Sequence, residues 1–331
     1  MGIYKFISVV VILAMLLMPL AALKSTDKSG TSGEKTTQLS KEKEERNKPE
    51  TVKVFMREEE LVLSVTVQEY IIGVLAAEMM PTYHEQALKA QAVAAYTYLL
   101  NKKSEQEVSP DASLKGAYLS DDSSTHQGYL TEEERAEKWG EKAEQYEKKL
   151  RNAAEDVIGK VITYDGKPII AAFHANNSGV THSAETVWGN DVPYLQSVVS
   201  AGDKLSPDCI KTVALSAQEI SSRAGAVQDC NLSGEAEEWI TDIKTDKHGY
   251  VESLVIGGTK LTGIRAREVL GLRSAVFTFE FKDGSFRFTT EGYGHGVGMS
   301  QYGADYMARQ GSSWEEILKH YYQGVEITEI E

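Results

Sequence analysis

An α+β fold, with strands and helices mixed around a cleft and an apolar anchor ahead of them, is what this sequence predicts. Three observations lead there. Helical periodicity marks the segments beginning near residues 66, 82 and 300. Short β-branched and aromatic runs crowd the stretch 157–290. The two kinds of segment do not alternate regularly, which argues against a parallel βαβ sheet.

Composition narrows the class. The 331 residues are 41% hydrophobic and 25% charged, an ordinary globular balance. That length allows one large domain or two modest ones. Two cysteines cannot staple a small disulfide scaffold. The formal net charge is −14, and the first 50 residues are slightly basic, so the acidic excess falls on the body. A body of that charge repels phosphate backbones, and nucleic acid is not an expected partner.

Phe6–Leu23, FISVVVILAMLLMPLAAL, is uncharged and long enough to span a bilayer. It reads as an uncleaved membrane anchor over residues 1–23, with a signal peptide as the alternative. Either way the body is exported. Lys24–Glu50 is polar with almost no apolar residue, and reads as a disordered tether. The body occupies 51–331, with 201–238 set apart as an insertion or subdomain. Cys209 and Cys230 either bridge, closing a loop of about 20 residues worth ~3 kcal/mol, or sit as two unpaired core thiols.

Val52–Met56 and Leu61–Val65 flank a charged turn and read as a hairpin. Thr66 with Glu69 forms a capping box, and Val67, Ile71, Val74, Leu75 and Glu78 then recur at helical spacing up to Pro81. Thr82 with Glu85 opens a second, alanine-rich helix to about Leu100. Residues 101–130 read as loop, and Glu132–Asp156 as a charged, solvated helix. Strands are expected at Val157–Tyr164, Pro168–Phe173, Trp239–Asp246, Tyr250–Ile256, Ala275–Phe281 and Ser285–Thr290. Helices are expected at Thr262–Leu270, Ser300–Arg309 and Trp314–Tyr322.

Three places carry chemistry. Glu78 shares the apolar face of its helix and lies in the last turn. Desolvation and the negative end of the macrodipole both raise its pKa. A carboxylic acid still protonated near neutral pH is what general acid catalysis requires. The plainer alternative is a helix-end glutamate bonded to nearby backbone or an arginine. The stretch from His174 to Gly189 is dense in small polar side chains, Ser178, Thr181 and Ser183 among them, with Glu185 and Trp188. That mixture suits sugar binding, or is a plain polar loop. Glu291–Ala304 holds five glycines around His295 and leads into Ser300 and Gln301. Such a backbone can approach a ligand closely, or simply turn tightly under a helix. It lacks the ending of a P-loop. No histidine here has a partner at zinc-site spacing, so no metal is expected, and nothing implies a cofactor.

The segments VQEYIIGVLAAEMMPTYHEQALKAQAVAAYTYLL, HANNSGVTHSAETVWGNDVPYLQSV and GYGHGVGMSQYGADYMARQG together resemble the SpoIID/LytB family, over roughly residues 51–327. The resemblance implies a peptidoglycan lytic transglycosylase of endospore-forming bacteria. It would be held on the mother-cell membrane with its catalytic domain outside the cytoplasm. It would act during engulfment on glycan strands that an amidase has stripped of stem peptides. It also implies a sporulation amidase (SpoIIP-like) and a membrane scaffold protein as partners. The family's catalytic glutamate falls on Glu78. His174, Ser178, Thr181, Glu185, Trp188, His295, Ser300 and Gln301 are the candidates for contacting glycan. Two departures stand out. Tyr96 occupies a position where the family often has arginine, and only His126 remains where some relatives hold zinc. Rival readings are a non-catalytic glycan-binding module that stimulates an amidase, and a zinc hydrolase built on the histidines.

Overall fold

The computed structural model describes residues 50–330. The anchor segment Phe6–Leu23 and the tether up to Pro49 lie outside them. The expectation of a single-pass membrane localisation is not upheld. No helix among the described residues is long and apolar enough to cross a membrane. The longest of these, 24 residues, exposes Glu85, Ser104, Glu105, Glu107 and Val108.

The chain opens with β1 (Thr51–Met56) and β2 (Leu61–Thr66), paired antiparallel from Thr51–Thr66 to Met56–Leu61. Helix α1 (Val67–Glu78) follows, its first turn capped by the Thr66 hydroxyl, which accepts from the Glu69 N–H at 3.2 Å. It ends at Glu78 because Met79 turns extended. Helix α2 runs from Glu85 to Val108, well past the expected end at Leu100. Its N-cap is His84, whose ring accepts from Gln86 N–H, rather than Thr82. The extra turns, NKKSEQEV, have no apolar stripe to betray them.

The short strand β3 (Leu119–Ser120) then pairs parallel to β1. Helices α3 (Glu132–Trp139) and α4 (Ala143–Glu155) replace the single solvated helix expected there. Arg135 on α3 is 1% exposed. It donates to Glu69 on α1, to Glu147 on α4 and to the Leu130 carbonyl, tying three segments together. Burying an arginine is tolerable because every arm finds an acceptor.

β4 (Lys160–Tyr164) is the centre of a sheet with β5 (Lys167–Pro168) and the C-terminal strand Glu326–Glu329. Next come β6 (Phe173–His174) and a short helix α5 (Ala184–Trp188). The run Pro168–Phe173 is thus two fragments, not one strand. β7 (Ile210–Ser216) and α6 (Ala217–Ala224) lead into β8 (Ile240–Thr245), β9 (Val251–Ile256), β10 (Thr259–Thr262) and α7 (Gly263–Leu270). β11 (Phe277–Lys282) and β12 (Ser285–Glu291) complete this region, and β12 also pairs with β7. β13 (Met299–Ser300), α8 (Gln301–Arg309), α9 (Trp314–Tyr321) and β14 (Glu326–Glu329) close the chain.

Two hydrophobic cores result. The first is organised by α2, where buried Ala87, Ala90, Ala92, Ala94 and Ala95 let α1, α4, α8, α9 and β4 pack closely. Thr97 extends this. Its hydroxyl donates to Val93 O and accepts from Ile162 N–H, fixing β4 to the helix. The second core gathers Leu215, Ile220, Val251, Leu254, Phe286 and Phe288. The stretch 201–238 contributes β7 and α6 to it and does not pack alone. Cys209 and Cys230 are free thiols, each facing a backbone carbonyl, Asn177 O and Ile256 O.

Gly73 tests the first core. A methyl there would lie 2.3 Å from the Tyr129 ring and 2.7 Å from Leu130 O. The ring can swing, but the carbonyl cannot, because Leu130 N–H is bonded to Gly73 O at 3.2 Å. Alanine gains about 1 kcal/mol of helix propensity, while overpacking costs about 1–3 kcal/mol. Gly73→Ala is therefore expected to lower stability by up to ~2 kcal/mol, read as a lower urea midpoint. A higher midpoint would show that the wall yields.

Candidate active site

A cleft of about 1300 Å³ lies between the two cores. One wall comes from the end of α1, the loop 121–130 and α3. The other comes from α5, the end of α7 and the glycine loop 292–298.

Glu78 stands on the first wall. Its helix ends there because Met79 is extended and Pro81 follows, so the side chain projects from the last turn. Oε1 accepts a short hydrogen bond from Gly128 N–H. A Cβ at Gly128 would lie 3.0 Å from that oxygen and 3.1 Å from Ala77 Cβ, so any larger residue would press on the carboxyl. Burial pushes the Glu78 pKa up. The Gly128 bond, the Lys138 charge and Gln301 pull against it without reversing the shift. Lys138 reaches this point by donating to Ala76 O at 2.9 Å, in the same helix end. Gln301, buried at the start of α8, closes the space behind.

The second wall is built from two loops laced together. Asn176 and Tyr293 exchange backbone bonds at 3.2 and 2.8 Å, and His182 N–H donates to Gly296 O at 2.7 Å. This closeness explains the glycines. Gly294 has φ +115, and a Cβ there would lie 2.7 Å from His174 Cβ. At Gly298 it would lie 2.1 Å from Ala172 O.

Two imidazoles grip Val297 from opposite sides. His174 Nδ1 lies 3.1 Å from Val297 O, a carbonyl that can only accept, so Nδ1 carries the proton. His174 Nε2 then accepts from Asn177 Nδ2 at 3.3 Å. His295 Nδ1 accepts from Val297 N–H at 3.0 Å, leaving its proton on Nε2. Burial pushes His174 down to about 3. Burial and the nearby Arg267 push His295 down to about 4. Both are neutral in ordinary conditions, and their rings lie 5.8 Å apart. Trp188, 40% exposed, packs 5.4 Å from His295 and presents a flat face to the cleft.

Of the residues singled out from sequence, Glu78, His174, Trp188, His295 and Gln301 line this cleft. Ser178, Thr181, Glu185 and Ser300 do not. Ser178 lines a separate, water-sized void beside Asn176 and His182. Thr181 is fully buried, its hydroxyl accepting from Val198 N–H at 2.9 Å. Glu185 is exposed on α5. Ser300 caps α8, accepting from Gly303 N–H and donating to buried Asp203. The Thr181 and Ser300 hydroxyls are spent on backbone N–H groups and on Asp203, a use that composition cannot separate from sugar binding.

Sequence reasoning missed Gly128, Lys138, Arg267 and Tyr293, all in the cleft walls. Lys138 sits in a run of charge, and Arg267 on an expected helix that carries no motif, so neither stands out. Tyr96 is buried in the first core. The cleft draws positive charge from Lys102, Lys138 and Arg267 instead. Among the described residues no group of three or more His, Cys, Asp or Glu is placed to hold a metal ion. His126 accepts from Ser120, its Nδ1 3.0 Å from the hydroxyl.

Residues 56–164 match the SpoIID family, described as "Stage II sporulation protein". Stage II sporulation protein D of Bacillus amyloliquefaciens is 38% identical over 322 residues, covering 96% of this chain and 91% of that protein. Its namesake in Bacillus subtilis (strain 168) is 38% identical over 285 residues, covering 86% and 80%. A protein named "Amidase enhancer" from the same strain is 28% identical over 309 residues, covering 77% of this chain and 40% of its own length.

The shifted glutamate has a stability signature. Folding raises the proton affinity of Glu78, so between the ordinary value of 4.5 and the higher folded value the native chain holds the extra proton. Stability therefore falls as pH rises through that window. Glu78→Gln cannot ionise and escapes this loss. Its urea midpoint is expected to gain on wild type as pH rises above 4.5. A difference that stays flat with pH would contradict the shift.

Proposed function

The chain belongs to the SpoIID family of stage II sporulation proteins, and from that premise we propose that it is a lytic transglycosylase acting on peptidoglycan glycan strands during sporulation. The observation that carries the reading is Glu78. It is a part-buried carboxyl with raised proton affinity, on the wall of a cleft large enough for several sugar rings.

The reaction needs one such group. Protonated Glu78 donates its proton to the oxygen linking N-acetylmuramic acid to N-acetylglucosamine, and the C1–O bond breaks. The resulting carboxylate takes the proton from the muramic acid O6 hydroxyl. O6 closes on C1, giving a 1,6-anhydro ring and returning Glu78 to its acid form. A hydrolase would need a second carboxylate to activate water or to attack C1. Glu185 is not in the cleft. Asp121 and Glu268 are, but Asp121 accepts from Arg57 N–H at 3.1 Å and Glu268 pairs with Arg265 at 2.9 Å. Gln301 and the neutral His295 offer hydrogen bonds without competing for the proton, and Trp188 offers a surface for a sugar face.

The name of the amidase-enhancing relative supports an amidase as partner, one that removes stem peptides before these strands are cut. It also favours a second reading, in which the cleft binds glycan without cutting it and so stimulates the amidase.

Product analysis separates these. Wild type is expected to release fragments ending in 1,6-anhydro-N-acetylmuramic acid from peptide-stripped glycan, one water lighter by mass spectrometry than hydrolysis products. Glu78→Gln is expected to lose on the order of 10²–10⁴ in rate while still binding glycan. Reducing-end products would make the protein a hydrolase. Absence of products from wild type would favour the binding reading.

A further inference from the structure

Arg267 is the side chain the account above leaves idle. It lies near the end of α7 on the second wall of the cleft, beside His295 and Tyr293. Its surroundings exclude enough water to push its pKa down. A guanidinium withdrawn from water is normally matched by a carboxylate. Arg267 has none. Its Nε donates to Arg273 O at 3.2 Å, and its two terminal nitrogens have no protein acceptor among the described residues. Glu268, the nearest acid in sequence, is turned to Arg265. The neighbouring Arg273 is already engaged, over the Tyr293 ring at 4.3 Å and 3.8 Å from Asp208. A half-withdrawn fork of N–H donors, unpaired and facing an open cleft in an acidic protein, is a site for an anion with two oxygens.

We propose that Arg267 is a carboxylate subsite, taking the free lactyl carboxylate of an N-acetylmuramic acid residue and so distinguishing strands whose stem peptides have been removed. This rests on the glycan reading above. The lactyl group branches from the sugar ring. When a stem peptide is present that carboxyl is an amide, which is neutral and bulky, and the fork has nothing to pair with. Once the peptide is gone the carboxylate is free to accept two parallel hydrogen bonds. His295, held neutral beside Arg267, adds no competing charge. Trp188, packed on His295, would flank the same sugar.

The test reads binding, not turnover, so it stands apart from the cleavage chemistry. In full-length protein carrying Glu78→Gln, titration calorimetry compares one peptide-free glycan oligosaccharide with its carboxyl methyl ester. The free acid is expected to bind about tenfold tighter, and that preference to shrink as salt screens the charges. Adding Arg267→Met is expected to erase the preference, and Arg267→Lys to retain part of it. Arg287→Met, which removes an exposed charge on β12, is expected to keep it whole. Thermal unfolding confirms that each variant is folded. Equal binding of acid and ester before any change at Arg267 would overturn the subsite while leaving the glycan reading intact, as would a folded Arg267→Met protein that still prefers the acid. No binding of either oligosaccharide would overturn both.

Discussion

A carboxyl group held out of water at the end of a helix is the constraint around which this protein is arranged. Glu78 lies where the carbonyls of α1 point outward and where the loop 121–130 folds over it. Water that would stabilise its charge is excluded, and the macrodipole opposes the charge further. The Gly128 N–H, Lys138 and Gln301 offset part of that cost. The balance still favours the proton, which is the condition that the proposed general-acid role requires. Much of the first core maintains this position. Arg135 locks α3 and the 130 carbonyl to α1. Gly73 lets that loop approach the helix, and the alanine face of α2 brings α8, with Gln301, to within reach of Gln91.

The second wall depends on a different buried acid. Asp203 accepts from the Ser300 hydroxyl at 2.5 Å, from Asn177 N–H at 3.2 Å and from the Ser200 hydroxyl. One side chain thereby holds the cap of the helix that carries Gln301 and the loop that orients His174. Burial pushes Asp203 up to about 6, against those hydrogen bonds. Its work is structural, and it explains why the hydroxyls of this region look inward and not into the cleft.

Glu78 and the helix carrying it were legible because α1 follows a 3.6-residue period and ends at a proline. Both are local signals. β8, β9, β11 and β12 were legible from their β-branched and aromatic runs, whereas β10 was not expected; the glycine loop was legible from its composition. What was hidden was set by tertiary packing. The α2 extension past Leu100 is polar on every side. β7 reads IKTVALS with its first five residues exposed, so it shows no buried face. Arg135 looked like one more charge on a solvated helix, yet three partners from distant segments bury it. Arg267 and Lys138 reach the cleft only because helices far apart in sequence converge there. Thr181 and Ser300 had the right composition for sugar contacts but are consumed by backbone bonds and by Asp203, and Ser178 faces a separate small void.

The central claim is that the folded chain holds the Glu78 proton above the ordinary carboxylate range. The most direct measurement is a carbon-13 NMR titration of the glutamate carboxyl signals, with Glu78 assigned by its absence from Glu78→Gln. The account predicts a midpoint for this signal clearly above 4.5, the ordinary value. A midpoint at or below 4.5 would contradict it, because the group would then already be ionised where it must donate.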